Sequence, residues 1–294
     1  MTDGKPAREN PLALASDADS EEIEPIHLLL ALISPVPMLE FGEDPYGLER
    51  YEAPAGDPGL FGPSSVVWRV HADLPTLLYG GHASLLLQSL HPRVMAGVTD
   101  HSDLVTDVLP RLIRTARFVW WTTFGPTELA ETLIDRVRAV HDRVRGRTAD
   151  GRPYSANEPS LLTFVHVAEV WCLLRAYQRY SRSPLLREEK DRYLKEMTEF
   201  ATRIGARDVP SSVDEARDYL RVIAPELAVT EGSRFAFMLL DRPMSDHPIE
   251  AASHRVIHAA GLDLLPEFAQ RIVGHRVSLP AVLATRAAAT AYAT

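Results

Sequence analysis

From residue 74 onward the hydrophobic residues recur three and four positions apart, the spacing that gathers side chains on one side of an α-helix. The first such stretch, "LPTLLYGGHASLLLQSLHP", spans 74–92 and is expected to stop at Pro92, which cannot continue the hydrogen-bond ladder. A second helix is expected from 103 to about 121, with Pro110 better suited to a first turn than to a helix interior. The third, "PTELAETLIDRVRAVHDRVRG", carries Glu128 and Glu131 near its start and is expected to end on Gly146. The fourth, "EPSLLTFVHVAEVWCLLRAYQRYS", opens on Pro159 and is apolar on nearly all sides, which predicts a central core helix. "REEKDRYLKEMTEFATRIG" is amphipathic and closes on Gly205. Shorter helices are expected over 212–222, 226–240, 248–260 and 263–275, followed by the Ala-rich "SLPAVLATRAAATAYAT". No convincing alternation marks a strand, and no fixed-period repeat appears. The pattern therefore predicts an all-α fold.

The N-terminal part differs. Residues 1–25 are polar, acidic and Pro-containing, the composition of a flexible tail. Residues 40–63 are dense in Gly and Pro and read as an irregular arm. The expected organisation is a tail over 1–25 and a single helical domain over 26–294.

Composition narrows the function. With 294 residues, 46% of them hydrophobic, the chain can bury a large core. Its formal net charge of -9 makes nucleic acid a poor partner. The single cysteine, Cys172, has no internal disulfide partner and falls inside a helix expected to be buried. The N-terminus lacks the basic-then-apolar pattern of a secretion signal, and "IHLLLALISPVPM" is broken by Pro35 and Pro37. No membrane span is expected, and the expected setting is the reducing cytoplasm.

Several chemistries lack their residues. There is no G-x-S-x-G elbow, no phosphate-binding glycine loop and no H-E-x-x-H. Only Glu24-Pro25-Ile26-His27 has the E-x-x-H spacing, and it contains a proline. His247, Glu250, His254 and His258 fall at i, i+3, i+7 and i+11, one face of a helix. His254 and His258 have the spacing to clamp a metal ion, but an exposed histidine-bearing face is the simpler expectation.

His141 stands out more. In "RVRAVHDRVRGRT" it shares the apolar face of its helix with Leu133, Val137 and Val144. Most single histidines in that position pair with a nearby carbonyl. Here Arg138 and Arg145 lie at i−3 and i+4, and buried guanidinium groups call for an anionic partner. Haem b satisfies both demands, with iron for the imidazole and propionates for the arginines. On the preceding helix, Arg111, Arg114 and Thr115 share one face, a candidate set for the opposite side of the same site.

The blocks "LLLQSLHPRVMAGVTDHSD", "RLIRTARFVWWTTFG", "RVRAVHDRVRGRTADGRPYSANEPSLLTFVHVAEVW" and "LPEFAQRIVG" resemble the bacterial family that includes latex clearing proteins (rubber oxygenases) and the MpaB-type oxygenase of mycophenolic acid biosynthesis. The resemblance runs in order from Tyr79 to Gly274. It implies a mostly helical, globin-like core holding b-type haem, with His141 as proximal ligand between Arg138 and Arg145. It maps Arg111, Arg114 and Thr115 onto the R-x-x-K-T segment of latex clearing proteins, with Arg114 in place of the lysine. Unlike a lysine, arginine stays protonated and cannot ligate iron, so an open or water-bound sixth site is expected. His166, in "FVHVAE", is a second contender for ligand, or else an imidazole bonded to a carboxylate inside the core.

The expected activity is a haem b-dependent oxygenation of an apolar or unsaturated small molecule by dioxygen. Arg111 and Arg114 would stabilise negative charge that develops during the attack. The rival expectations are a haem-binding sensor or carrier without turnover and a helical interaction protein without cofactor. Homo-oligomerisation is open.

Overall fold

A computed structural model describes residues 56–101, 108–243, 248–276 and 279–292. The tail over 1–25, most of the Gly- and Pro-dense arm and His247 lie outside the described residues.

The fold is predominantly helical. Helix α1 (Val66–His71) is capped twice: Ser65 accepts from the Trp68 amide, and the Glu196 carboxylate accepts from the amides of Val66 and Val67. The first long apolar stretch divides into a π-helical turn (Thr76–Gly80) and helix α2 (Gly81–Ser89). The wider turn brings Gly80 against the fourth long helix so closely that a Cβ there would lie 2.9 Å from the Leu173 Cα. Pro92 ends the stretch but also begins a helix that the pattern did not predict, α3 (Pro92–His101), where its missing N–H leaves no bond unmade. Helix α4 (Val108–Phe124) contains Pro110, and residues 102–107 before it lie outside the described residues.

Helix α5 (Thr127–His141) stops well before Gly146. The chain turns at 142–144 and enters a hairpin: β1 (Arg145–Arg147) pairs antiparallel with β2 (Pro153–Ser155), Gly146 facing Tyr154. This small sheet corrects the expectation that no strand would form. Three-residue strands are too short to show alternation, and a Cβ at Gly146 would lie 2.5 Å from the Tyr154 hydroxyl, so the glycine serves the pairing rather than a helix end.

Helix α6 (Pro159–Tyr180) runs through the core, as its all-round apolarity requires. It is long and apolar enough to cross a membrane, yet 78% of its apolar window is buried inside the protein, the mark of a core helix. Helix α7 (Arg187–Ile204) ends on Gly205 at φ +109°, and Glu188 and Glu189 occupy its first turn. Helices α8 (Val213–Ile223), α9 (Glu231–Asp241), α10 (Pro248–Leu264), α11 (Glu267–Val273) and α12 (Leu279–Tyr292) follow. Residues 224–226 form a separate 3₁₀ turn ahead of α9.

Two hydrophobic clusters meet at α6. One joins α2, α6 and α10 through Leu86, Phe164 and Leu264; the other joins α1, α6 and α7 through Val67, Leu173 and Tyr193. Trp171 packs against both. Between them, α4 and α5 lean on the bundle and leave a space beside α6.

Candidate functional site

That space is a cavity of about 960 Å³, walled by α4, α5 and α6 with contributions from α1, α2, α7 and α10. Leu77, Leu78, Leu85, Val165, Leu173 and Ile257 make most of its wall apolar. A volume of this size accommodates a large cofactor or a sizeable apolar ligand.

His141 is the last residue of α5 and lines the cavity. The helix that carries it is anchored at its other end by Asp57, whose carboxylate accepts from the Thr127 amide at 2.9 Å and the Thr127 hydroxyl at 2.7 Å. Those bonds hold the Asp57 carboxyl below its usual pKa. The approach depends on Gly59, at φ +66°, where a Cβ would lie 2.4 Å from the Gly125 carbonyl oxygen.

The His141 Nδ1 is buried and makes no hydrogen bond. Burial lowers the imidazole pKa, helped by the nearby Arg111 guanidinium and opposed by the Asn157 side chain beside the ring and by Asp142. His141 is thus a neutral imidazole with an unpaired buried nitrogen at a cavity wall. That state suits a metal ligand.

The flanking arginines lie elsewhere. Because α5 ends at His141, Arg145 falls on β1, exposed, with its Nη2 donating to the Asp142 carbonyl at 2.6 Å. Arg138 is exposed and faces Asp135 at 4.0 Å. Neither lines the cavity, whereas Arg136 and Arg143 do. The helical stripe on which the pair was read does not extend past His141.

Arg111, Arg114 and Thr115 all line the cavity from α4. The structure therefore brings that set together with His141, and Arg111 is near enough to disfavour a charge on the imidazole. Arg117 joins them on the same wall.

A polar floor closes the cavity on the α6 side. His166 is 4% exposed, its Nδ1 is buried without a partner, and burial pushes its pKa down to about 4. The alternative of an imidazole bonded to a carboxylate finds no such bond at Nδ1. Glu169 faces the same cavity, and burial lifts its carboxyl to about 7. Beside them His71 bonds from Nδ1 to the Thr123 hydroxyl at 2.8 Å and from Nε2 to the Tyr193 hydroxyl at 3.1 Å; burial and the neighbouring His166 bring its pKa to about 3. His71, Thr123 and Tyr193 were not read as site residues. They lie on three separate helices, and only the tertiary fold assembles them.

The histidines of α10 correct another expectation. His254 is 8% exposed, not surface-facing, and its Nε2 bonds to the Leu240 carbonyl at 2.9 Å. His258 pairs through Nδ1 with the Nε2 of His82 at 3.0 Å. Among the described residues, no group of three His, Cys, Asp or Glu side chains has the geometry to hold a metal ion by itself. Cys172 is a free, buried thiol, and burial pushes its pKa up to about 12.

The fold and site define a helical protein built around an apolar cavity whose walls carry arginines and two histidines, His141 and His166, each with a buried Nδ1 that makes no hydrogen bond. The chain belongs to the family described as "ER-bound oxygenase mpaB/B'/Rubber oxygenase, catalytic domain", whose model matches residues 68–294, and it is an oxygenase catalytic domain of that type. The matched span contains α4, α5 and α6 and with them the three principal cavity walls. No curated protein and no solved structure matches the chain as a relative.

Proposed function

We propose that the cavity holds haem b and that the protein oxygenates an apolar or unsaturated small molecule with dioxygen. The observation that carries this reading is His141: a neutral imidazole with an unpaired buried nitrogen, on the wall of a 960 Å³ apolar cavity that also presents Arg111, Arg114 and Thr115. His141 is assigned as the iron ligand, and His166 is the alternative, since its Nδ1 is also unpaired. Arg136 and Arg143 line the cavity and replace Arg138 and Arg145 as partners for the propionates. Among the chain's own groups, Asn157 would fix the His141 ring, as metal-bound histidines are usually held by a hydrogen-bond partner behind them.

Haem supplies the redox chemistry with dioxygen, and the protein supplies position and charge. Arg111 and Arg114 supply guanidinium groups that donate hydrogen bonds wherever negative charge develops; Thr115 adds a hydroxyl. The leucines and valines of the wall orient an apolar substrate and exclude water. The globin-like core and the cytoplasmic setting, both expected from the sequence, belong to this same reading.

The test is a visible spectrum of the purified protein expressed with iron and a haem precursor, followed by oxygen uptake. A Soret band with oxygen consumption that requires an unsaturated substrate supports the proposal. A Soret band without substrate-dependent uptake means a sensor or carrier. A colourless protein that takes up no added haem overturns the cofactor assignment.

A further inference from the structure

The proposed reaction leaves His82 and His258 without a task. They are contributed by α2 and α10, and packing holds them together: a Cβ at Gly261 would lie 2.6 Å from the His82 Cδ2, so the glycine lets the ring approach α10 closely. His82 lines the cavity and is 9% exposed. Its Nε2 is 3.0 Å from His258 Nδ1, and His258 Nε2 is 3.5 Å from Asp241 Oδ1. The His258 side chain is 13% exposed and that of Asp241 69%, so the three groups step outward from the cavity to solvent.

The far end of the chain favours one set of proton positions. At 3.5 Å His258 and Asp241 are at ion-pair distance, not hydrogen-bonded, and the carboxylate's charge favours the His258 tautomer with Nε2–H toward Asp241 and a lone pair on Nδ1. The 3.0 Å bond then requires His82 to donate from Nε2, which leaves the His82 Nδ1 with its own lone pair. Burial and the neighbouring His258 and His254 bring the His82 pKa down to about 3. Burial also lowers that of His258, helped by His254 and His275 and opposed by Asp241 and the Leu240 carbonyl. Both directions favour neutral rings. His254 is set apart, since its Nε2 is committed to the Leu240 carbonyl.

We propose that His82, His258 and Asp241 form a proton relay between the cavity and solvent. When a group in the cavity gives a proton to His82 Nδ1, the Nε2 proton of His82 passes to His258 Nδ1. The Nε2 proton of His258 passes to Asp241 once the exposed carboxylate closes the 3.5 Å gap, and water removes it there. One proton enters, one leaves, and no electron moves; the reverse sequence delivers a proton inward. A pair serving only to pack α2 on α10 needs neither a cavity at one end nor an exposed carboxylate at the other. The inference rests on the cavity being the reaction chamber.

Two measurements test it. Nitrogen-15 NMR of the histidine-labelled full chain, with and without haem, is expected to show both His82 and His258 protonated on Nε2 and bare on Nδ1. In the haem-loaded ferric protein, hydrogen cyanide must lose its proton inside the cavity to bind. Asp241→Asn and His258→Gln are therefore expected to slow cyanide association by about tenfold or more while leaving its Kd nearly unchanged. Asp241 is exposed, so its variant should fold normally. A His82 protonated on Nδ1, or wild-type cyanide rates in both variants, overturns the relay. If the protein takes up no haem, the cofactor proposal fails, and the NMR result alone decides the relay.

Discussion

The Asn157 side chain is tied beside the His141 imidazole, its Nδ2 donating to the Arg138 carbonyl at 3.0 Å and to Asp142 Oδ1 at 2.7 Å. Both acceptors belong to the end of α5, so the amide is fixed to the helix that carries the histidine. Asn157 Oδ1 and His141 Nδ1 are each buried without a hydrogen-bond partner. Two unsatisfied buried atoms on adjacent side chains are costly unless they pair; Nδ1–H turned to the Asn157 Oδ1 would satisfy both and leave Nε2 as the His141 nitrogen for iron. Asn157→Ala is accordingly expected to weaken haem affinity by about 10–100-fold, measured by haem transfer to an acceptor protein. Unchanged affinity would leave the amide a purely structural tie.

His141→Ala is expected to yield protein without haem, because the remaining contacts are apolar side chains and exposed arginines. The comparison that decides the ligand is His166→Ala, which should retain the Soret band with altered intensity at most. The reverse pattern, with haem kept in His141→Ala and lost in His166→Ala, transfers the assignment to α6.

Periodicity revealed the long helices because each buries one face against the core. α6 and α7 match their expected limits closely, and the π turn and the hairpin escaped for a physical reason. The π turn differs from an α-helix only in how the backbone closes around Gly80, which depends on α6 pressing against it. The hairpin puts Arg145 and Gly146 in a strand where "RVRG" reads equally well as a helix ending. The face that holds Arg111, Arg114 and Thr115 was readable, since neighbours three and four apart on one helix need no tertiary information. The hydrogen bonds of His71 to Thr123 and Tyr193, and the pairing of His82 with His258, join residues 52 to 176 positions apart, which one-dimensional spacing does not encode.

Glu169 makes stability depend on pH in an unusual direction. Its folded pKa of about 7 lies above the ordinary 4.5, so the folded state binds a proton that the unfolded chain releases. The contribution is fully present below about pH 4.5 and is lost as pH rises through about 7. Glu169→Gln removes that dependence. It is expected to be more stable than wild type at pH 8, by at most about 3 kcal/mol, and little different at pH 4.5. Urea titrations of the haem-free protein at the two pH values measure this. Equal differences at both would mean that the cavity hydrates the carboxyl.

The arginines can be separated by position. Arg138→Ala and Arg145→Ala are expected to leave haem retention as in wild type, because both side chains are exposed and their ion pair or carbonyl contact contributes little. Arg143→Ala, on the cavity wall, is expected to accelerate haem loss without abolishing binding, since the iron bond remains. Rapid loss from the Arg138 or Arg145 variant alone would restore the arrangement read from the helical stripe.

Arg114 tests the role of the α4 face as a whole. It lines the cavity with Arg111 and Thr115, and a guanidinium stays protonated where a lysine would lose its charge and ligate iron. The ferric protein should therefore bind added imidazole or cyanide readily, shown by a shift of the Soret band. A donor preorganised toward developing negative charge typically contributes about 2.7–4 kcal/mol to lowering the barrier. Arg114→Ala should thus keep its haem content yet lose about 10²–10³ in turnover on any substrate found. Arg114→Lys separates charge from geometry: a lysine that reaches the iron would close the sixth site and suppress the response to imidazole. Full turnover in Arg114→Ala, together with a wild-type ferric spectrum indifferent to both ligands, would remove Arg114 from the reacting side of the cavity. Arg111 and Thr115 would then have no role beyond packing α4 against the bundle.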